Sequence, residues 1–134
     1  MHMLHHISLG VTNIERAASF YDAALGALDY VRVWSDLRPG ERDQAVGYGE
    51  AGGGDKLALK QISSAFAIAM PGFHIAFSAQ SHHAVIGFHA AAVAAGATDN
   101  GKPGLREHYA PNYFAAFVIE PEGHHLEAVC KSAA

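Results

Sequence analysis

The chain opens with an alternation of apolar and small or polar residues. From Leu4 to Val11, the apolar side chains of Ile7, Leu9 and Val11 share one face, and the opposite face carries His6 and small residues. Because successive side chains of a strand point to opposite faces, this pattern predicts a strand with one packed face.

Helical spacing follows directly. Apolar residues recur every three or four positions from Ile14 to Leu25, and Thr12 and Glu15 form the Thr-x-x-Glu pattern of a capping box. We therefore predict a helix that starts after Thr12 and ends near Gly26. Three further strands are predicted at about 28–34, 44–49 and 56–61.

The pattern restarts after Pro71-Gly72. Residues 73–79 alternate as the first strand does, and a second helix is predicted from about Ser81 to Ala95. A short strand near Ala97-Thr98 and a loop over 101–104, which contains two glycines and a proline, are expected next. The last two strands are predicted at about 113–120 and 124–131.

The order strand, helix and three strands thus occurs twice, which indicates an internal duplication. A shift of 68 positions places His6 on His74 and Phe20 on Phe88 without a gap. The predicted fold class is α+β, with two tandem βαβββ modules in one domain that covers residues 1–134. Module one spans about 4–61 and module two about 73–131.

Composition narrows the possible functions. The chain has 134 residues, a net charge of −4 and no dense Lys/Arg stripe, so neither a nucleic acid nor a membrane is expected as a partner. The most apolar stretch, Ala65 to Met70, is too short for a membrane span. The N-terminus lacks signal-peptide features, and Cys130 is the only cysteine, so we expect a cytoplasmic protein.

Two histidines occupy corresponding strands of the two modules. His6 and His74 lie on the face opposite the bulky residues, where Ser8 and Ser78 leave room for a ligand. Glu127 is a third candidate, because a carboxylate within an apolar terminal strand is costly unless it is paired or binds a metal. Two histidines and one carboxylate form a facial triad for one divalent ion of Fe, Mn, Ni, Co or Zn.

Each of these residues also has an ordinary structural explanation. A lone histidine in a strand is more often a hydrogen-bonded structural residue than a ligand, and Glu127 could pair with a lysine or arginine. The shared register and shared face of His6 and His74 make the metal site the favoured explanation, with a structural role as the alternative.

Several stretches together resemble one known superfamily. They are His-His-Ile-Ser-Leu-Gly-Val at 5–11, Phe-Tyr-Asp at 20–22, Phe-His-Ile-Ala-Phe at 73–77, and Phe-Val-Ile-Glu-Pro-Glu-Gly at 117–123 followed by Glu127. This combination resembles the glyoxalase/bleomycin-resistance/extradiol-dioxygenase (vicinal oxygen chelate) superfamily. The resemblance implies a cup-shaped, mostly antiparallel curved sheet with helices on the outside. It also implies metal ligands at His6, His74 and Glu127, and a homodimer.

One departure separates the chain from glyoxalase I, which uses a fourth protein ligand in the first module. The shift of 68 places that position at Leu59, and one residue of slip places it at Ala58. Neither side chain can bind a metal. His125 shares a face with Glu127 and is a candidate spare ligand, whereas strand alternation is expected to turn His5 away from His6.

The segment 106–117 resembles a stretch of bacterial members of the superfamily and supplies further candidates. Arg106 is expected to bind a substrate carboxylate, and His108, Tyr109 and Tyr113 to act as acid–base or hydrogen-bonding groups at the cup mouth. Ordinary surface residues are the alternative reading. The remaining expected substrate contacts are Ser8, Ser78 and Trp34.

The sequence is compatible with three candidate functions. The first is a metal-dependent enzyme, dioxygenase-like or lyase-like, acting on a small oxygenated metabolite bound through two oxygens. The second is a non-catalytic drug- or metabolite-binding protein of the bleomycin-resistance type, with an aromatic cleft from Trp34, Tyr48 and Tyr113. The third is a lactoylglutathione lyase of the glyoxalase I type.

Overall fold

The computed structural model describes residues 3–63 and 72–134. The apolar stretch 65–70 and the expected boundary at Pro71 therefore lie outside the described residues. Within them, none of the helices is long and apolar enough to cross a membrane. The elements run in the order β1 (Ile7–Val11), α1 (Ile14–Gly26), β2 (Val31–Asp36), β3 (Ala45–Gly49), β4 (Leu57–Gln61), β5 (Ile75–Ser78), α2 (His82–Ala94), β6 (Thr98–Leu105), β7 (Phe114–Ile119) and β8 (His125–Cys130).

The strands form two separate sheets with the same topology. The first has the order β1-β4-β3-β2 and the second β5-β8-β7-β6. In each sheet one pair is parallel, β1 with β4 and β5 with β8, and the other two pairs are antiparallel. This confirms the predicted α+β class and the two tandem βαβββ modules.

Each helix covers one face of its own sheet and leaves the other face free. Leu9 and Val11 of β1 and Leu126 and Ala128 of β8 point to the helices and join one continuous core. The modules contact each other mainly through α1 and α2, which pack together inside that core. The helix-free faces, which we call the cup faces, carry the residues between the apolar ones, such as Glu127.

The start of α1 differs from the expectation. The N-cap is Asn13, whose side chain accepts a hydrogen bond from the backbone N–H of Arg16, so the capping box of Thr12 and Glu15 was wrong. Thr12 bonds instead to Glu122, from the turn between β7 and β8. Its backbone N–H and hydroxyl donate to the same carboxylate oxygen, at 2.6 Å and 2.9 Å.

The expected loop over 101–104 was also wrong, because these residues belong to β6. The strand pairs with β7 from Thr98, opposite Ile119, to Leu105, opposite Phe114, with two shifts of register between them. Gly101 adopts φ +150, which a side chain would strain. The glycines and the proline therefore mark bulges within a strand rather than a break between strands.

The β7–β8 turn of module two is fixed to α1 of module one. The Glu122 side chain is 6% exposed, accepts the bonds from Thr12, and accepts a weaker one from the Asn13 N–H at 3.3 Å. Next to it, buried Tyr21 donates to the Glu120 carboxylate at 3.2 Å. Burial opposes ionisation of Glu120, but hydrogen bonds from His124 and nearby backbone N–H groups outweigh it and lower the pKa of Glu120.

We predict that Glu122→Gln destabilises the protein. The substitution removes a negative charge from the positive end of α1, so the free energy of unfolding should fall by about 1–2 kcal/mol. Urea unfolding followed by circular dichroism measures this change. The matched control is Glu107→Gln, which removes an equal charge at an exposed site. Equal stability of the two variants would show that the Glu122 cap contributes nothing.

Candidate active site

Glu127 lies at the centre of the cup face of the second sheet. The register places it between Ala76 of β5 and Phe117 of β7. Its neighbours in sequence, Leu126 and Ala128, point into the core, so alternation forces the carboxylate to the opposite face. Although it is on the helix-free face, its side chain is only 2% exposed, because other side chains cover it.

Two side chains bind the two oxygens of this carboxylate. Nε2 of His74 lies 2.8 Å from Oε1, and the hydroxyl of Tyr113 donates to Oε2 at 2.5 Å. The His74 ring is 47% exposed, so it connects the buried carboxylate to the open cup. An imidazole nitrogen and a carboxylate oxygen thus converge on one accessible point, and their role as metal ligands stays a prediction.

The Tyr113 phenol serves this site as a donor. Burial and the hydrogen bond to Glu127 raise the pKa of Tyr113 to about 12, so the hydroxyl keeps its proton at neutral pH. The Tyr109 ring packs edge-on against the Tyr113 ring, with ring centroids 5.1 Å apart. The ring centroids of His108 and Tyr109 are 4.2 Å apart. These three candidates therefore form one group beside Glu127.

Arg106 completes the set of candidates on this sheet. Its guanidinium carbon lies 5.5 Å from the ring centre of Phe117, and the His74 ring lies 6.4 Å from the same ring. Phe117 was not among the expected site residues, although its alternation with Ala116 and Val118, which both join the core, already assigns it to the cup face.

His6 is not part of this group in the single chain. It precedes β1, is exposed, and its Nδ1 lies 2.8 Å from Nδ1 of His5. The expectation that strand alternation separates these two histidines was wrong, because β1 begins only at Ile7. Across residues 3–63 and 72–134, no three His, Cys, Asp or Glu side chains gather in an arrangement that could hold a metal ion. The three-ligand site therefore stays a prediction.

The other expected substrate contacts are spread over both modules. Ser8 is exposed on β1, and Trp34 of β2 is 39% exposed and covers Gly47, where a Cβ would approach the indole nitrogen to 2.3 Å. Ser78 is exposed on β5 and accepts a hydrogen bond from Tyr30 at its carbonyl. Ser78 also lines a cavity of about 770 Å³ between the modules, and the lining of this cavity does not include His74 or Glu127.

The register identifies the first-module counterpart of Glu127. Ala76 pairs with Glu127, and Ser8, the repeat equivalent of Ala76, pairs with Ala58. The counterpart is therefore Ala58 rather than Leu59, which points into the core. Ala58 has no donor atom, so this chain lacks a ligand at that position of its first sheet.

The architecture is a pair of βαβββ modules with a histidine–carboxylate pair on an open cup face. The family model of the glyoxalase/bleomycin resistance protein/dioxygenase superfamily matches residues 3–128. The chain belongs to this superfamily, as its sequence motifs predicted. A comparison with curated proteins finds no match.

Solved structures of several superfamily proteins share the fold. A glyoxalase/bleomycin resistance protein from Albidiferax ferrireducens T118 is 27% identical, with 96% of this chain and 99% of that chain covered and a TM-score of 0.78. The fosfomycin resistance protein FosX from Listeria monocytogenes is 17% identical, with 98% and 95% covered and a TM-score of 0.69. A V278E mutant of glyoxalase I from Zea mays is 17% identical, with 94% and 45% covered and a TM-score of 0.69, so this chain spans about half of its length.

We predict that Tyr113→Phe destabilises the protein by leaving one buried oxygen of Glu127 without its donor. The loss should be about 1–3 kcal/mol in the free energy of unfolding, measured with urea at pH 7. Tyr109→Phe is the control, because it removes a hydroxyl from an exposed tyrosine of the same cluster. A Tyr113 variant as stable as this control would contradict the importance of the bond.

Proposed function

We propose that the protein is a metal-dependent enzyme that acts on a small oxygenated molecule held on the cup face of the second sheet. The observation that carries this proposal is the convergence of the His74 nitrogen and the Glu127 oxygen, 2.8 Å apart, beside an open face. A carboxylate this buried needs strong partners, and a divalent ion is the partner that uses both groups together.

The residues present fit a divalent metal. Imidazole and carboxylate are ligands that Fe, Mn, Ni, Co and Zn all accept, and Oε2 of Glu127 is already occupied by Tyr113. Oε1 contacts Nε2 of His74, so these two atoms would hold the metal in place of their direct hydrogen bond, while Tyr113 keeps Oε2. A metal there would supply a Lewis acid that polarises two adjacent oxygens of a substrate.

We propose that the third ligand, His6, comes from a second copy of the chain. Among the described residues, the modules contact each other mainly through α1 and α2, and the strands form two separate sheets, so each sheet keeps its own cup face. A homodimer can place the first-sheet face of one chain against the second-sheet face of the other. His6, Ser8 and Trp34 would then join His74 and Glu127 at one site.

The remaining residues would bind the substrate and transfer protons. Tyr113, protonated at neutral pH, is a hydrogen-bond donor at the centre, and His108 and Tyr109 lie next to it as acid–base candidates. Arg106 and Ser78 are candidate substrate contacts from the same sheet.

Two other functions have less support. A four-ligand site of the glyoxalase I kind would need a donor at Ala58, which has none. A non-catalytic binding protein finds some support in the cavity between the modules and in exposed Trp34. However, of the three aromatic residues expected in a binding cleft, only Tyr48 lines that cavity, and its hydroxyl already bonds to Ala18 and Asp22.

We predict that untagged protein purifies with, or takes up, about one divalent ion per chain. Removing any ligand, as in His6→Ala, His74→Ala or Glu127→Ala, should lower the metal affinity at least about tenfold, measured by elemental analysis and calorimetry. His83→Ala is the matched control, because His83 is exposed on α2. Metal binding that is absent in the parent protein, or unchanged in all three variants, would contradict the proposal.

We predict that mixing two inactive variants restores metal binding. In a dimer of His6→Ala and His74→Ala chains, one site loses both histidines while the other keeps His6 of one chain and His74 of its partner. Co-refolded variants should therefore regain a metal site that neither variant has alone, as measured by equilibrium dialysis. No recovery in a verified mixed dimer would show that the ligands come from a single chain.

A further inference from the structure

Arg106 is a half-buried arginine without an acidic partner. Arg16, Arg32 and Arg38 each pair with an aspartate or glutamate, whereas Arg42 and Arg106 do not. All 13 acidic residues of the chain lie in the described parts, so none of them neutralises Arg106. Arg42 is exposed in the segment between β2 and β3. Arg106 instead lies on the cup face, where a charge without a partner is more costly.

The side chain is held in place despite its missing partner. One terminal nitrogen donates to the backbone carbonyl of Lys102 at 2.7 Å, and the guanidinium lies over the Phe117 ring at 5.5 Å. The Arg106 N–H also donates to the Tyr113 carbonyl at 2.7 Å, which fixes the backbone beside the site. These contacts use one face and one edge of the planar group and leave other N–H donors free.

The glycines of β6 make the room that this position needs. A Cβ on Gly104 would lie 3.0 Å from one terminal nitrogen of Arg106. A Cβ on Gly101 would lie 3.4 Å from the other and 2.9 Å from the Phe117 ring. The two shifts of register in β6 surround these glycines, so the bulged strand accommodates the guanidinium over Phe117.

Phe117 connects this cation to the histidine–carboxylate pair. Its ring is 6.4 Å from the His74 ring and 5.5 Å from the guanidinium, and its backbone pairs with Glu127. A small molecule resting on this ring can reach Arg106 with one end and His74 with the other. A fixed cation, Arg106, thus lies beside a flat apolar surface, the Phe117 ring, with the histidine–carboxylate pair next to it.

We propose that Arg106, Phe117 and the β6 glycines form a preorganised oxyanion position, and that the substrate is a small organic anion with a carboxylate or phosphonate group. That the bound anion is a substrate rests on the proposed function, whereas the position itself does not require a metal. The guanidinium fork binds two oxygens of such a group side by side. The substrate would lay its carbon skeleton on Phe117 and direct its other oxygens to His74 and Glu127.

The test uses metal-free protein in the presence of EDTA, titrated with benzoate and with benzamide and followed by ligand-observed NMR. The two probes match in size and differ in charge. We expect benzoate to bind, benzamide to bind at least about tenfold more weakly, and Arg106→Gln to weaken benzoate binding by a similar factor. Arg106→Lys should give an intermediate affinity because it keeps the charge but loses the fork.

Two further variants separate the built position from charge alone. Gly104→Ala keeps every charge but displaces the guanidinium, so benzoate binding should weaken. Arg42→Gln removes an unpaired arginine elsewhere and should change nothing. Inorganic phosphate is the second probe: competition with benzoate shows a general oxyanion position, and its failure to compete shows one selective for carboxylates.

The proposal would be overturned if benzoate failed to bind, if benzamide bound equally well, or if Arg106→Gln and Arg42→Gln gave the same affinity for benzoate. Thermal unfolding of each variant checks that it remains folded. Because no metal is present, these outcomes are independent of whether His74 and Glu127 bind one.

Discussion

The burial of the Glu127 carboxylate determines which side chains must surround it on the cup face of the second sheet. Glu127 lies in a strand whose neighbouring residues must face the core, so alternation directs its side chain to the cup face, and covering residues remove it from water. A carboxylate in that position is tolerated only when both oxygens have partners. His74 and Tyr113 are these partners, one for each oxygen. Phe117 then packs against the His74 ring, and Tyr109 packs against the Tyr113 ring.

The periodicity of the sequence was sufficient to predict the order of strands and helices, although not the full length of β6, because the strands pack an apolar face against a helix. It also indicated that His74 and Glu127 lie close together, and their side chains are 2.8 Å apart, although His74 comes immediately before β5 rather than within it.

The sequence-based predictions that were wrong depend on contacts between residues far apart in the chain. Thr12 and Asn13 are both good capping residues, and the choice between them depends on Glu122, which lies 110 residues from Thr12 and binds its N–H and hydroxyl. Likewise, glycine and proline at 101–104 are typical of a loop, but pairing with β7 holds them in a strand. The position of His6 relative to His74 depends on how whole modules assemble, which local patterns do not encode.

The contact between Glu122 and α1 makes the duplication asymmetric. Helix α2 is capped by its own Ser81, whereas α1 also uses a carboxylate supplied by the other half of the chain. The first half, produced alone, would lose this carboxylate and the part of the shared core that the second module supplies, so we do not expect it to be a self-sufficient folding unit. We therefore expect the two halves to unfold together in one cooperative transition, although each has the same sheet topology. A substitution in the β7–β8 turn of module two is therefore felt at the start of α1 in module one, so the two repeats cannot vary independently at this contact.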